Sequence, residues 1–263
     1  MEQFDTPKAK LLVDRWFALS IGNSRLHWAT FIGNDLHRTW NTPHLSIAEV
    51  QAIIETQLTQ NPDLYIASVV PAQCQYWERY PFAHVITLKQ VPLKGLYPTL
   101  GIDRALAVWG AIDTVGCPVL VIDAGTALTF TGADGTQQLV GGAILPGLGL
   151  QFQFLHQATA ALPDLGDRLT EQHHLPPRWA LNTTDAIASG ILYTFLAGLR
   201  DFVTAWWQQF PNSPVLLRGG DSERLYAYLT AYDPALASRV TIEPELIFWG
   251  LRSLREWGAA SRE

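Results

Sequence analysis

Apolar residues along this chain fall into short blocks punctuated by Gly, Pro, Asn and Asp, the pattern of strands and helices joined by tight turns. Residues 1–10 are polar and read as a loose tail. LLVDRWFALS at 11–20 reads as a buried strand, IGNSR as a turn and LHWATFIG as a second strand. GND is a hairpin signal ahead of a short strand, LHRTW. SIAEVQAIIETQLTQ sets apolar residues at helical spacing behind Ser46, with Glu49 three residues on, which predicts a helix opened by a capping box. LYIASVV and HVITL read as strands, and LGIDRALAVWGAIDTV as a helix opened by Gly101. From Pro118 the pattern restarts. VLVIDAG is a strand running into a Gly turn, and ALTFTG and TQQLVGG are strands around the turn ADG. GGAILPGLGL is a Gly/Pro-rich passage leading into an apolar helix, and DRLTEQHHLPPRWALN is a loop. A long helix from Thr183, a strand PVLLRGG with its own Gly turn, and helices DSERLYAYLTAY and PELIFWGLRSLREWG complete the chain.

The two stretches, 11–117 and 118–257, repeat one order: strand, polar Gly turn, strand, strand, helix, strand, helix. IGNSRLHWATF in the first matches DAGTALTFTG in the second. This predicts an α/β fold of two duplicated halves. A turn joining two strands aims backbone N–H groups and a hydroxyl inward, and two such turns facing each other grip a polyphosphate. No Pro/Ser-rich linker separates the halves, so a cleft between them is expected.

Composition narrows the function classes. The 263 residues are 48% hydrophobic, enough for a sizeable core, and only 16% charged. A net charge of −6 carries no electrostatic footprint for nucleic acid. Cys74 and Cys117 lack metal or redox spacing and read as free thiols in a reducing compartment. The start, MEQFDTPKAK, has no apolar signal-peptide core, and no run approaches the ~18 apolar residues of a membrane span. A cytoplasmic protein that binds neither nucleic acid nor membrane is expected. The ten Trp suggest aromatic surface buried between subunits.

Five short motifs carry candidate chemistry, each with a plainer structural reading. Gly22-Asn23-Ser24 supplies a Gly for close backbone approach and a hydroxyl donor, or is an ordinary hairpin turn. Asp123-Ala124-Gly125-Thr126 puts a carboxylate at a strand end beside Gly-Thr, where it holds a cation near phosphates or makes an Asx-type turn. In Gly101-Ile102-Asp103-Arg104 the acid lies in the first turn of a helix, as a general base or as a simple cap. Gly141-Gly142 with Pro146-Gly147 keeps backbone exposed. Arg218-Gly219-Gly220-Asp221 is a strand-to-helix Gly turn suited to a nucleotide's base or ribose. His173 and His174 read as solvated, His156 as packed or interfacial, and Trp206-Trp207 as core or dimer packing.

In this order the segments IGNSRLHW, LGIDRALAVWGA, VLVIDAGTALTF, LVGGAILPGL, NTTDAIASG, LLRGGD and PELIFWGL resemble the type III pantothenate kinase family, within the actin-like, sugar-kinase-like ATPase superfamily. They cover residues 20–251. The resemblance implies two duplicated actin-like (ribonuclease H-like) halves flanking a nucleotide cleft. It implies phosphorylation of pantothenate by ATP with Mg²⁺, stimulation by a monovalent cation, K⁺ or NH₄⁺, and a homodimer with sites at its interface. Carried over by motif, Asp103 is the proton acceptor, flanked in the substrate-binding segment by Gly101, Ile102 and Arg104. Asp123 is the monovalent-cation ligand and Thr126 an ATP contact. The segment Ser20, Ile21, Gly22, Asn23, Ser24, Arg25, Leu26 and His27 is the first phosphate loop. Thr183 is the substrate-contacting threonine before the long helix, or merely its N-cap.

Three positions depart from the family pattern. Ser20 stands where an Asp is usual, so a full charge is missing beside the phosphates. Arg218 replaces a Thr at the last Gly turn, either reaching a phosphate or covering the turn. Lys94 replaces a Tyr ahead of Gly101, and Tyr97 is the nearest substitute as a substrate contact. Direct phosphoryl transfer with Asp103 as base is the expected mechanism. The alternative is a nucleotide-binding regulator of the same fold with weak or lost kinase activity, for which Ser20 is the main argument.

Overall fold

The computed structural model describes residues 14–165 and 174–260. The expected tail at 1–10 and His173 lie outside the described residues. Internal contacts divide the chain into two units, one ending at Ile86 and one starting at Thr87.

The first unit holds one five-stranded sheet in the order β3-β2-β1-β4-β5. The long hairpin β1 (Arg15–Ile21), β2 (Leu26–Ile32) and β3 (Asp35–Thr42) is antiparallel throughout. The strands β4 (Leu64–Ser68) and β5 (Ala83–Val85) join parallel to β1 through helices α1 (Ile47–Gln57) and α2 (Pro71–Trp77). Ser46 caps α1 as its sequence requires: its hydroxyl accepts from the Glu49 N–H, and the Glu49 carboxylate accepts from the Ser46 N–H at 2.7 Å. Helix α2 is not evident in the pattern, being a single Pro-initiated stretch of seven residues. One sheet face is apolar, with Phe17, Leu19, Ile21, Leu26 and Trp28 packed against Val50, Cys74 and Trp77 of the helices.

The second unit repeats that sheet. Its order is β10-β9-β6-β7-β8, where β6 (Val119–Ala124), β7 (Ala127–Ala133) and β8 (Leu139–Pro146) form the hairpin meander and β9 (Val215–Arg218) and β10 (Val240–Ile242) run parallel to β6. Counted from the first strand of each half, the two orders are the same, so the internal repeat in the sequence is a repeat of topology. The strand read at TQQLVGG is β8, which runs on through the Gly/Pro-rich passage as far as Pro146. Its exposure alternates along the strand, the period of a half-buried sheet edge. β10 has three residues and leaves almost no periodicity to read. Helices α4 (Leu148–Gln157), α5 (Thr183–Gln209), α6 (Ser222–Tyr232) and α7 (Pro234–Ala237) follow the strands.

The long α5 is apolar and long enough, by length and composition, to cross a membrane, which corrects the reading that no run approaches that size. Its buried residues Leu192, Phe195, Leu196, Leu199, Val203 and Trp206 recur at helical spacing and join the core formed by β6, β7 and β9. That is the pattern of a core helix. Trp206 is core, donating to the Ser213 hydroxyl at 2.7 Å.

Helix α3 (Ile102–Val115) lies against α8 (Leu246–Ala260). A Cβ on Gly110 would stand 1.9 Å from the Leu246 carbonyl oxygen, and one on Gly250 would stand 2.4 Å from that of Leu106. The two backbones therefore touch through a reciprocal glycine contact. The Trp109 indole donates to the Ser253 hydroxyl at 3.1 Å and pins the rotation of the pair. This seating fixes the N-terminal turn of α3, where Asp103 sits.

Candidate active site

Helix α3 begins at the N-cap Gly101, which has an extended backbone, so Asp103 falls in the first helical turn. One carboxylate oxygen, Oδ1, accepts the N–H of Arg104 at 2.8 Å. Burial pushes the Asp103 carboxyl above the usual carboxylate range. The charge of Asp123 adds to the rise, while the Arg104 N–H and the guanidinium groups of Arg218 and Arg104 oppose it.

Ile102 is buried, and Arg104 turns inward to brace the site. Its Nε donates to the Thr131 hydroxyl at 2.9 Å, one Nη to the Phe130 carbonyl at 3.1 Å, and the other Nη to the Tyr97 hydroxyl at 3.2 Å. Three donors in a rigid fork lock the start of α3 to β7. The same fork holds Tyr97, half-exposed, beside the motif it was expected to serve. Thr131 had no signal in the sequence, because only the β7 register brings it under Arg104.

A second cluster forms where β6 and β9 end. The parallel register sets Asp123 beside Arg218, and the Arg218 guanidinium forms an ion pair with the Asp123 carboxylate. The side chains retain 11% and 18% exposure, so the pair is largely out of water. Beyond it the chain turns back on itself. Gly219 has φ +100°, and a Cβ there would lie 2.5 Å from the Ala124 carbonyl oxygen and 2.6 Å from Asp123 Oδ1. Only glycine fits. The Asp221 N–H then donates to the Ala124 carbonyl at 2.9 Å, and Asp221 starts α6. Burial pushes its carboxyl upward, opposed by Arg224 at 3.4 Å.

Between β6 and β7, the Gly125 N–H donates to the Ala127 carbonyl at 3.1 Å. The exposed Thr126 accepts, through its carbonyl, the Gly147 N–H at 2.9 Å, which ties the start of α4 to the turn. The second unit thus carries Asp103 and Arg104 on α3, with Tyr97 ahead of it held by Arg104, Asp123 and Thr126 on the β6–β7 hairpin, and Arg218 at the β9–α6 turn. The carboxyl ends of parallel strands are where α/β sheets bind ligands.

In the first unit, the turn between β1 and β2 closes with the Gly22 N–H donating to the Arg25 carbonyl at 3.0 Å. Asn23, Ser24 and Arg25 are exposed at its tip. His44 bonds the Gly22 carbonyl at 2.8 Å, and His27 bonds the Asn41 side chain at 2.7 Å. Ser20, Ile21 and Leu26 are buried, Ser20 with only 4% exposure.

Thr183 is exposed at the first residue of α5, and the cap is Asn182, whose Oδ1 accepts the Asp185 N–H at 2.9 Å. Thr183 lines an open hollow of about 740 Å³ with Leu155, Leu162, Leu181, Ile187 and Ile191. No described bond joins it to the Asp103 cluster. His156 is exposed and bonds the Leu162 carbonyl at 2.7 Å, so it is not packed within the chain.

Among the described residues no group of three His, Cys, Asp or Glu gathers to hold a metal. Mg²⁺ bound through a nucleotide's own oxygens and water needs few protein carboxylates. A monovalent cation fits poorly. The expected ligand, Asp123, already holds the Arg218 guanidinium on one oxygen, and its other oxygen lies against Gly219.

The model of a family described as type III pantothenate kinase matches residues 16–205. The type III pantothenate kinase of Nostoc sp. is 51% identical over 267 residues, covering 94% of this chain and 96% of that one. In fold, the chain is similar to a conserved putative Baf family transcriptional activator from Campylobacter jejuni (TM-score 0.64, 18% identity, 93% and 99% of the two chains). It is also similar to the activator of 2-hydroxyisocaproyl-CoA dehydratase from Clostridium difficile (TM-score 0.53, 8% identity, 94% and 97%). The family match spans most of the chain and includes the Gly22 and Gly125 turns and the α3 motif, so this protein belongs to the type III pantothenate kinase family.

Proposed function

We propose that this chain transfers the γ-phosphoryl group of ATP to the terminal hydroxyl of pantothenate, giving 4'-phosphopantothenate and ADP in the first step of coenzyme A biosynthesis. The observation that carries the reading is Asp103, a carboxylate at the start of α3 made more basic by burial, within a chain of this kinase family. The pantothenate hydroxyl oxygen attacks the γ-phosphorus, the bond from that phosphorus to the β–γ bridging oxygen breaks, and ADP leaves. Asp103 takes the hydroxyl proton. Its Oδ1 is committed to the Arg104 N–H, which leaves Oδ2 as the acceptor.

Gly101, Ile102, Arg104 and Tyr97 shape the substrate side of that carboxylate. Arg104 acts by holding Tyr97 and β7 in place. In the first unit the exposed tip Asn23, Ser24 and Arg25 is taken as the phosphate loop, and in the second unit Thr126 is taken as an ATP contact. Mg²⁺ bound with ATP neutralises phosphate charge when present. A monovalent cation, K⁺ or NH₄⁺, is implied by the family resemblance, and no step is routed through it.

We also propose a cytoplasmic homodimer. Trp179, Leu181 and Phe154, at α4 and the approach to α5, are large apolar side chains exposed in the single chain. A second copy covering them would bury the surface around Thr183 and bring that residue into the substrate site. Light scattering at assay concentration should give twice 29.2 kDa; a fully active monomer would refute the shared site.

The deciding assay is ADP release with pantothenate against a panel of sugars. Turnover with pantothenate alone is expected. Nucleotide binding with no release on any substrate would favour the regulator reading.

A further inference from the structure

The ion pair at the ends of β6 and β9 has a consequence beyond local stability. Arg218 is 9% exposed, and its planar guanidinium is a donor-only group. Its partner Asp123 stands directly beside it in the parallel register, so the contact is set by the sheet and does not depend on a flexible reach. The adjoining Gly219 backbone closes the other side of the carboxylate. A loosely held cation at Asp123 would have to sit against a fixed guanidinium. The Arg218 Nε is buried and without a hydrogen-bond partner, so the group keeps a donor in reserve at the end of the strand.

We propose that Arg218 is a built-in replacement for an exchangeable monovalent cation at Asp123, and that phosphoryl transfer by this chain runs without K⁺ or NH₄⁺. The inference rests on the kinase reading above, but its test separates the two. The guanidinium supplies the positive charge that balances Asp123 at a strand end in the proposed nucleotide site. Being covalently attached, it cannot be washed out.

The full-length protein is assayed with ATP, Mg²⁺ and pantothenate in choline, sodium, potassium and ammonium chloride at equal ionic strength. The wild-type rate is expected to agree within about twofold across the salts. Arg218→Thr removes the guanidinium and opens the carboxylate. Its rate in choline chloride should fall about tenfold or more and be restored by potassium or ammonium. Thermal unfolding gives a readout independent of activity: K⁺ should raise the Tm of Arg218→Thr over choline and leave the wild type unmoved. Binding of Tl⁺, a K⁺ surrogate, followed by thallium NMR should appear only in the variant. Tenfold stimulation of the wild type by K⁺ or NH₄⁺, or an Arg218→Thr protein indifferent to K⁺ in both rate and Tm, overturns the proposal. Should Arg218→Thr fail to fold in choline chloride, recovery of the fold in potassium chloride is the expected result, and equal failure in both salts overturns it. If neither protein turns over pantothenate, the kinase reading fails, while the Tm and thallium contrasts still decide the fate of the cation inference.

Discussion

Ser20 and Asp123 occupy the same place in the two halves of this molecule. Each lies two residues before the glycine of the turn joining the first and second strands of its sheet, Gly22 in one and Gly125 in the other. Each also faces one residue across the parallel ladder: Ser20 faces Ala67 on β4, and Asp123 faces Arg218 on β9. The duplicated scaffold therefore carries a small neutral pair in one half and a salt-bridged pair in the other. A buried neutral hydroxyl costs far less to accommodate than a buried charge. A carboxylate kept ionised out of water is stabilised by a counter-charge, and at Asp123 β9 provides it. The backbone repeat is a matter of folding, whereas the asymmetry of charge falls at the ends of the strands, where ligands bind α/β folds.

The largest effect is expected where charge meets chemistry. Asp103→Asn keeps the shape and the acceptor for the Arg104 N–H but cannot take the proton, so turnover should fall about 10²–10⁴-fold with an unchanged unfolding midpoint. More than half the wild-type rate in a steady-state assay would remove Asp103 from the role.

Next comes the pair itself. Arg218→Ala leaves Asp123 buried without a partner and should cost about 3 kcal/mol in denaturant unfolding. Transplanting the neutral arrangement of the first half, Asp123→Ser with Arg218→Ala, should recover most of that loss. A double variant no more stable than Arg218→Ala would mean the two positions are not coupled as their geometry indicates.

The reverse transplant is a smaller perturbation. Ser20→Asp places a carboxylate opposite Ala67, where no counter-charge waits, and should destabilise by on the order of 2 kcal/mol at neutral pH. Burial would raise the folded-state pKa of that carboxylate above its unfolded value of about 4. Between those two values the native state holds the extra proton, so the deficit should shrink as pH falls through that window. A Ser20→Asp protein as stable as wild type at pH 7, or one needing less Mg²⁺ for half-maximal rate, would show that a cation reaches position 20.

The smallest expected effect is the pH dependence of the wild type. Because Asp103 is raised by burial, the rate should climb with pH through a limb lying above the ordinary Asp value of about 4. The same group makes folding stability decline as pH rises from that ordinary value to the raised one, since the native state binds the proton more tightly. Arg218 lowers the Asp103 pKa, so the limb should move to higher pH in Arg218→Ala. A limb that stays in place would mean the two groups do not sense each other.

Much of this could be read before any coordinates. Ser46 with Glu49 is a local device, complete within one helical turn, and it forms as written. The strands β1, β2, β6 and β7 and the helices α3 and α5 carry enough apolar residues for their period to show. The short elements α2, α7 and β10 did not, because three to seven residues hold too little pattern. The first half of β8 was read as a strand, and its glycines and Pro146 hid only how far it extends.

The sequence by itself determined the family, the α/β repeat and the motif carrying Asp103, because each is a matter of residue order over short spans. The tertiary structure decided what those residues touch. Arg104 reaches Thr131 across 27 positions, and Arg218 reaches Asp123 across 95. Neither separation leaves a trace in local periodicity, since the first pairing depends on how α3 is seated and the second on the register of β6 and β9. Whether a charge ends up solvated, bracing a strand or neutralised by a neighbour is fixed by burial and distance, and these exist only once the sheets have formed.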